Sequence, residues 1–308
     1  MNENFIKKSG LVISKLARDM LINDIGNKLP SISEYAGKLS VSRGVIQQGI
    51  NFLEENNCIL LQKSHGTGTF LQHKDSNKLC ENTGWDLLTI NMPVPATHYL
   101  QSLTTALYQY NTIFPFPLAM VYVTGAHNRL KYLEKKIYDT IVVSASSAKA
   151  YCEMYDFLDE PIVLENCQYA GGFCVYFANS NNTQIKDGMR VAYDPSSTDH
   201  YSLTKALCAG KNVEWVETPF ILLSEVLHQK KVDVLIHRRE YPMLRFEHLN
   251  PQPIEIYRFS NLETKTPVLL FHKENYGVRA LFEKYLNTTD IYLTQKNIME
   301  GRESPRFF

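Results

Sequence analysis

The apolar positions of this chain change period twice. Near the start they recur at helical spacing: Leu11, Ile13, Leu16, Ala17, Met20 and Leu21 predict one helix over residues 5–25, stopped by Gly26-Asn27. Over residues 29–71 two shorter helices follow, and then alternation. Leu29-Pro30 closes the preceding segment, because proline disfavours helix at the residue before it. Ser31 and Glu34 stand at capping-box spacing, with Tyr35, Ala36 and Leu39 on one side of the helix they open. Ser40 marks a turn and Ser42 is a natural N-cap for the next helix. There Ile46, Gly49, Ile50 and Leu53 form a buried stripe at i, i+3, i+4, i+7. The run Cys58-Ile59-Leu60-Leu61 predicts a strand, the glycines at 66 and 68 a turn, and Thr69-Phe70-Leu71 a return strand.

From Trp85 onward strand-like runs alternate with helical ones. Strands are expected over 86–92, 117–123, 139–143, 162–168, 172–178, 189–193, 213–216, 232–237, 254–259 and 268–272. Helices are expected from 96 or 97 to 110, and over 128–137, 147–157, 199–209, 222–229 and 276–286. This alternation predicts a mostly parallel α/β sheet organisation, arranged as two sets. The polar residues 72–84 lack periodicity and read as a linker, and the end of the chain reads as frayed or used in a dimer contact.

The face opposite the stripe of the second short helix carries Arg43, Gln47, Gln48 and Asn51, side chains of the types that hydrogen-bond phosphates and base edges. Helix, turn, helix and glycine-bearing hairpin together read as a helix-turn-helix followed by a β wing. Leu29-Pro30-Ser31, Val41-Ser42-Arg43 and Gly66-Thr67-Gly68-Thr69-Phe70 resemble, in order and spacing, the head of GntR-type winged-helix regulators. The resemblance implies double-stranded operator DNA as partner, with Ser33, Ser42, Arg43, Gln47, Gln48, Lys63, His65, Gly66 and Thr67 at the interface. The chain departs from that family where glutamines 47 and 48 replace paired arginines, Lys63 replaces an arginine, and Ile32 and Ser33 follow the capping serine. These changes bear on the operator sequence rather than the fold. The alternative is a winged helix used only for protein contacts.

The two α/β sets resemble the type II periplasmic-binding-protein plan, also used by effector domains of LysR-type regulators. With Asp139-Thr140-Ile141-Val142-Val143 and Asp233-Val234-Leu235-Ile236-His237 in their places, head and flytrap together look most like the YhfZ type of GntR-like regulator. The expected division is a DNA-binding domain over 1–75, a linker over 76–84, and an effector-sensing domain over 85–308. Its first lobe takes in about 85–168 and 260–308, its second about 172–255.

Ligands of open α/β sheets lie at the carboxyl ends of the strands. Those ends carry Pro95, Thr97, Ser144, Ser146, Ser147, Ser196, Ser197, Thr198, His237 and Arg238. Hydroxyl-rich loops entering helices offer N–H groups to a carboxylate or phosphate, so a small anionic effector is expected. Each such loop also reads as ordinary capping, Arg238 also as a surface arginine, and Gly171-Gly172 as hinge or plain turn.

Charge adds one constraint. Lysines and arginines equal aspartates and glutamates at 32 each, and the first 75 residues carry only +2. So weakly basic a head binds DNA poorly alone, because phosphate neutralisation supplies much of the affinity, and a homodimer on a two-fold site is expected. Six cysteines without a C-x-x-C spacing read as buried free thiols in a reducing cytosol, the alternative being a disulfide set, and no run is apolar enough for a membrane span. No G-x-S-x-G, H-E-x-x-H or P-loop is present, and the nine histidines are scattered, so neither catalysis, a metal nor a cofactor is expected. The competing readings are an enzyme on the flytrap plan with the head as a dimer module, and a regulator with a more compact sensor.

Overall fold

Helix α1 (Lys8–Ile22) buries Val12, Leu16, Ala17, Met20 and Leu21 along one side. The computed structural model describes residues 8–238, 251–254 and 263–306. By compactness the chain forms two units, one of Met1–Leu88, Asn111–Leu118 and Asn275–Tyr285, the other of Thr89–Tyr110, Ala119–Glu274 and Leu286–Phe308.

In the first unit, Gly26 turns the chain at φ +91° and its N–H donates to the Leu71 carbonyl at 2.7 Å. The strand β1 (Lys28–Leu29) follows, then α2 (Ile32–Leu39). The reciprocal cap forms: the Glu34 N–H donates to Ser31 Oγ at 3.2 Å, and the Ser31 N–H to Glu34 Oε2 at 2.6 Å. Ser40 is left-handed at φ 54°, ψ 46°, which ends α2. Helix α3 (Arg43–Glu55) buries Ile46, Gly49, Ile50 and Leu53. Ser42 stands at its N-cap with extended dihedrals, but its side chain makes no capping hydrogen bond. Strands β2 (Ile59–Ser64) and β3 (Gly68–Lys74) pair antiparallel, and β1 joins the other side of β3. Gly68 closes the wing at φ +120°, a backbone conformation that L side chains rarely adopt, and the Lys28 side chain lies against it.

The segment expected as a linker is largely helix. Asp75 Oδ1 accepts from the N–H groups of Asn77 and Lys78, and α4 (Ser76–Thr83) packs on α1 with Leu79 and Thr83 buried. Two inward positions in eight residues are too few to register as a period in sequence. The helix is stabilised by tertiary packing rather than propensity.

The second unit holds two sheets. The chain runs through β4 (Leu88–Met92), α5 (His98–Tyr108), β5 (Leu118–Tyr122), α6 (Ala126–Glu134), β6 (Thr140–Ser144), α7 (Ala145–Met154) and β7 (Ile162–Val163). It continues through β8 (Phe173–Phe177), β9 (Arg190–Tyr193), α8 (Thr198–Leu207), β10 (Glu214–Glu217), α9 (Leu223–His228), β11 (Val234–Arg238), β12 (Gln252–Pro253) and β13 (Pro267–Phe271). Among the described residues the strand orders are β5-β4-β6-β13-β7 and β10-β9-β11-β8-β12. In the first, β4 and β6 are parallel and β13 runs antiparallel to β6 and β7. In the second, β9 is parallel to β10 and β11, and β8 runs antiparallel to β11 and β12. Each sheet thus sets a parallel group beside one reversed strand. Every residue of β6, β8 and β13 is buried, which is why these strands read as unbroken apolar runs.

Three expectations are corrected. The strand expected over 162–168 stops at Val163, and Asn166 turns left-handed at φ 64°. Of the strand expected over 254–259, Ile254 is not in a strand, since β12 covers only Gln252–Pro253, and residues 255–259 lie outside the described residues. The chain end is not frayed over 288–299. After α10 (Val278–Tyr285), which belongs to the first unit, α11 (Thr288–Met299) packs on α5 in the second. Its inward side mixes Ile291 and Ile298 with Gln295, whose amide is satisfied by the Tyr99 and Gln168 carbonyls and the Gln168 N–H. A polar residue at a core position hid this helix from a periodicity argument.

In the first unit α10 is tied to α1. The Tyr276 and Tyr35 hydroxyls donate to the two oxygens of Asp19, at 3.0 and 2.6 Å. The Arg18 guanidinium donates to the Thr83 and Tyr276 carbonyls and lies 4.3 Å from the Trp85 ring centroid.

A side chain at Gly49 would meet Leu16 Cδ1 at 2.8 Å, so Gly49 sets how closely α3 approaches α1. Gly49→Val is expected to destabilise the fold by about 1–3 kcal/mol through overpacking, read as a lower urea midpoint at unchanged slope.

Candidate functional site

Two surfaces carry chemistry. On the first unit, α3 turns Arg43, Gln48 and Asn51 to solvent, with Gln47 half-buried and donating to Asn51 Oδ1 at 2.7 Å. Ser33 and Ser42 are exposed at the starts of α2 and α3, and Lys63, His65, Gly66 and Thr67 at the tip of the β2–β3 hairpin. Glu54 and Glu55 lie at the opposite end of α3 from Arg43. The apolar stripe fixes the helix from beneath, so amides and the guanidinium are the groups left to face a partner.

On the second unit, the segments that follow β4, β5, β6 and β9, with the last residue of β11, meet between the two sheets around a cavity of about 70 Å³. Of the residues singled out in sequence, Ser147, Ser197, Thr198 and Arg238 line it, while Pro95, Thr97, Ser144, Ser146, Ser196 and His237 do not. Each of these six is placed by the fold. Pro93 and Val94 line the wall in place of Pro95. Thr97 is buried and its hydroxyl accepts from the Leu100 N–H at 3.2 Å, an N-cap for α5. The Ser146 N–H donates to the Glu263 carbonyl at 2.8 Å. Ser144 caps α7 by accepting from the Ser147 N–H at 3.1 Å. The Ser196 carbonyl accepts from the His127 N–H at 3.0 Å, a main-chain link between the lobes. His237 is buried, its ring stacked on Phe220 at 4.7 Å.

The groups that define the cavity are others. Asp199, in the first turn of α8, is 7 % exposed, and its Oδ1 accepts from the hydroxyls of Ser144 at 2.8 Å and Ser147 at 2.9 Å, both from the other lobe. Burial pushes its carboxyl above the usual range, against the pull of those hydroxyls and of Arg238 and Arg129. Tyr151 and Thr198 share a short hydrogen bond beside it. Arg129 on α6 is 2 % exposed and donates to the Val142 and Val123 carbonyls and to the Tyr169 hydroxyl at 3.0 Å. Arg238, at the end of β11, donates to the Tyr169 carbonyl at 3.2 Å and lies 5.2 Å from the ring of the same tyrosine. Gly125 precedes α6 at φ +80°, where a side chain would strike Ser196 Oγ at 2.5 Å. Arg129 escaped notice in sequence because a lone arginine in an amphipathic helix reads as solvated. Asp199 escaped because it sits at an N-terminal capping spacing.

The Asp194 carboxylate shapes the loop from β9 to α8, accepting from the Ser196 N–H at 2.8 Å and the Phe220 N–H at 2.7 Å. Behind it, His200 Nε2 contacts the Ile236 carbonyl at 2.9 Å while Nδ1 accepts from the Asp194 N–H at 3.3 Å, which fits one neutral tautomer. Burial pushes His200 down to about 4 and His237 to about 3. Among the described residues no group of three or more His, Cys, Asp and Glu is placed to hold a metal, and no helix is long and apolar enough to cross a membrane. The six cysteines stand as thiols, but not all are buried as expected: Cys80 is half-buried and Cys152, on α7, is exposed.

A helix-turn-helix head joined to a two-lobed α/β domain with a cavity between its lobes defines the class. The model described as the YhfZ C-terminal domain matches residues 75–307, and a helix-turn-helix domain model matches residues 24–71. The chain belongs to the YhfZ family. It is similar to the uncharacterized protein YhfZ of Escherichia coli (strain K12), 26 % identical over 313 residues and matched along the whole of both chains. It is also similar to the crystal structure of YhfZ from Shigella flexneri, at 21 % identity and a TM-score of 0.59 over 75 % of this chain and 97 % of that one. A periplasmic substrate-binding protein of an ABC transporter from Coxiella burnetii aligns at 12 % identity and a TM-score of 0.46, over 71 % and 100 % of the two chains.

The buried histidines set a pH dependence. Their folded pKa values lie below the ordinary 6.5, so on acidification the unfolded chain takes up protons first. Stability is expected to fall as pH drops below 6.5, by roughly 1.4 kcal/mol per pH unit per histidine until the folded values are reached. Asp199, raised in the fold, acts oppositely between 3.8 and its folded pKa. Urea midpoints at pH 7 and about pH 5 should differ less in His200→Gln than in the parent.

Proposed function

We propose that this protein is a GntR-like transcriptional regulator, a cytoplasmic homodimer whose winged helix binds operator DNA under control of a small anionic metabolite. The observation that carries this reading is the face of α3, where Arg43, Gln48 and Asn51 stand outward while Ile46, Ile50 and Leu53 hold the helix from below. An outward arginine and amides suit phosphates and the donor–acceptor pattern of the major groove, and the exposed Lys63, His65 and Thr67 suit the adjacent backbone. With neutral overall charge, two heads on a two-fold site supply the affinity that one lacks.

The effector half rests on the cavity, which carries two guanidiniums, Arg129 and Arg238, and the hydroxyls of Ser147, Ser197 and Thr198. A carboxylate or phosphate between the lobes strengthens the contacts that close them. The first sheet's strand β13 leads through residues 272–277 into α10, which packs on α1. That connection gives closure a route to the spacing of the two heads. The reading includes no catalytic step.

Binding of DNA selected from a random pool tests the head. Arg43→Ala is expected to weaken it by about 10- to 100-fold, the loss of one bidentate contact, and unchanged affinity would remove α3 from the interface. Thermal shifts with a metabolite library test the cleft. The paired change Ser197→Ala, Thr198→Ala is expected to reduce any shift, and an intact shift would place binding elsewhere.

A further inference from the structure

Asp199 gives this cavity a negative pole beside its two guanidiniums, Arg129 and Arg238. The Ser144 hydroxyl already accepts from the Ser147 N–H, so its hydrogen is the one directed at Asp199 Oδ1, where the Ser147 hydroxyl also converges. Oδ1 is therefore taken, and Oδ2 of this cavity-lining residue is the acceptor left for a ligand. An anionic group placed at Oδ2 would set like charges together, so the anionic end of a ligand belongs at the guanidiniums and Oδ2 suits a cation.

The guanidiniums are not equivalent. Arg129 spends its Nε, Nη1 and Nη2 on two main-chain carbonyls and a phenol, so its charge is already solvated by protein dipoles. Arg238 is half-buried, and among the described residues its side chain makes one hydrogen bond, which leaves most of its fork for a ligand. Its plane is braced by the rings of Tyr169 and Phe173, 5.2 and 5.4 Å away. Asp199 and Arg238 line the same small cavity, yet the hydrogen bonds of each go to other partners. They present one acceptor of a cation and one fork for a carboxylate. The rest of the wall includes Pro93, Val94, Leu100 and Phe220, which is apolar.

Resting on the reading of this cavity as the effector site, we propose that its ligand is a small amino-acid zwitterion: carboxylate on Arg238, ammonium on Asp199 Oδ2, and a short apolar side chain toward Val94 and Phe220. An ammonium at Oδ2 also relieves the burial that pushes the Asp199 carboxyl up, so ligand and carboxylate stabilise each other's charge. Charge-assisted bonds at both ends of a short molecule explain how so small a cavity discriminates.

The test is calorimetry and thermal shift on the full chain with the twenty amino acids in both enantiomers. For each binder its deaminated acid and decarboxylated amine are added, with inorganic phosphate and succinate as plain anions. At least one amino acid is expected to bind, with both truncated analogues weaker by about 100-fold, because each leaves a buried charge unpaired. Asp199→Asn should abolish most of the preference for the amino acid over its deaminated acid while retaining affinity for the acid. If that variant does not fold, the analogue ratios on the parent protein decide alone. A deaminated acid that binds as tightly as its amino acid overturns the zwitterion and leaves the anionic-effector reading standing. So does stabilisation by phosphate or succinate where no amino acid binds. Binding by none of these probes overturns both.

Discussion

A carboxylate almost out of reach of water joins the two lobes of the larger unit. Asp199 enters from the second sheet's side, and both hydroxyls that satisfy its Oδ1 come from the first. Hydrogen bonds to a charged acceptor contribute roughly 1.5–3 kcal/mol each, and an unpaired carboxylate there would cost more. The loops after β6 and β9 therefore have little freedom to part without exposing Asp199 to water. The shared hydroxyls of Tyr151 and Thr198 and the main-chain bond from His127 to Ser196 follow the same line. Gly125 permits that approach, since any side chain would push Ser196 away. The contacts that join the two lobes are thus specific hydrogen bonds, set beside an apolar wall that includes Pro93, Val94, Leu100 and Phe220.

The smaller unit solves a different problem. Its helices are too short to be stable alone, and its stability comes from apolar stripes packed on α1. Around that core the polar side of α1 is used as well. Arg18 and Asp19 gather Thr83, Trp85, Tyr35 and Tyr276 from segments far apart in sequence. These contacts hold α1 beneath the head without drawing on Arg43, Gln47 or Gln48 of α3.

The local features of the chain were legible because each depends on a few neighbouring residues. The cap of α2 needs only Ser31 and Glu34, and the wing needs only its glycines at the left-handed positions. Strands β6, β8 and β13 announced themselves as apolar runs because both faces of each sheet are covered. Helices α4 and α11 were not legible, because their inward sides are short or interrupted by a glutamine. The site was half legible: Ser147, Ser197, Thr198 and Arg238 stand where strand ends place them. Nothing in the neighbourhood of Arg129 or Asp199 marked either as facing a cavity.

The sequence by itself determined the helical and strand periods, the caps, the wing and the order of the two α/β sets, all of which are set by backbone preferences acting over a few residues. Only the tertiary structure decided which charges are buried and what they face. Asp199 meets Ser144 and Ser147 across more than fifty residues of chain, and Arg129 meets Tyr169 across forty. Such pairings depend on how two sheets close on each other, because burial is a property of the packed assembly and not of any stretch within it.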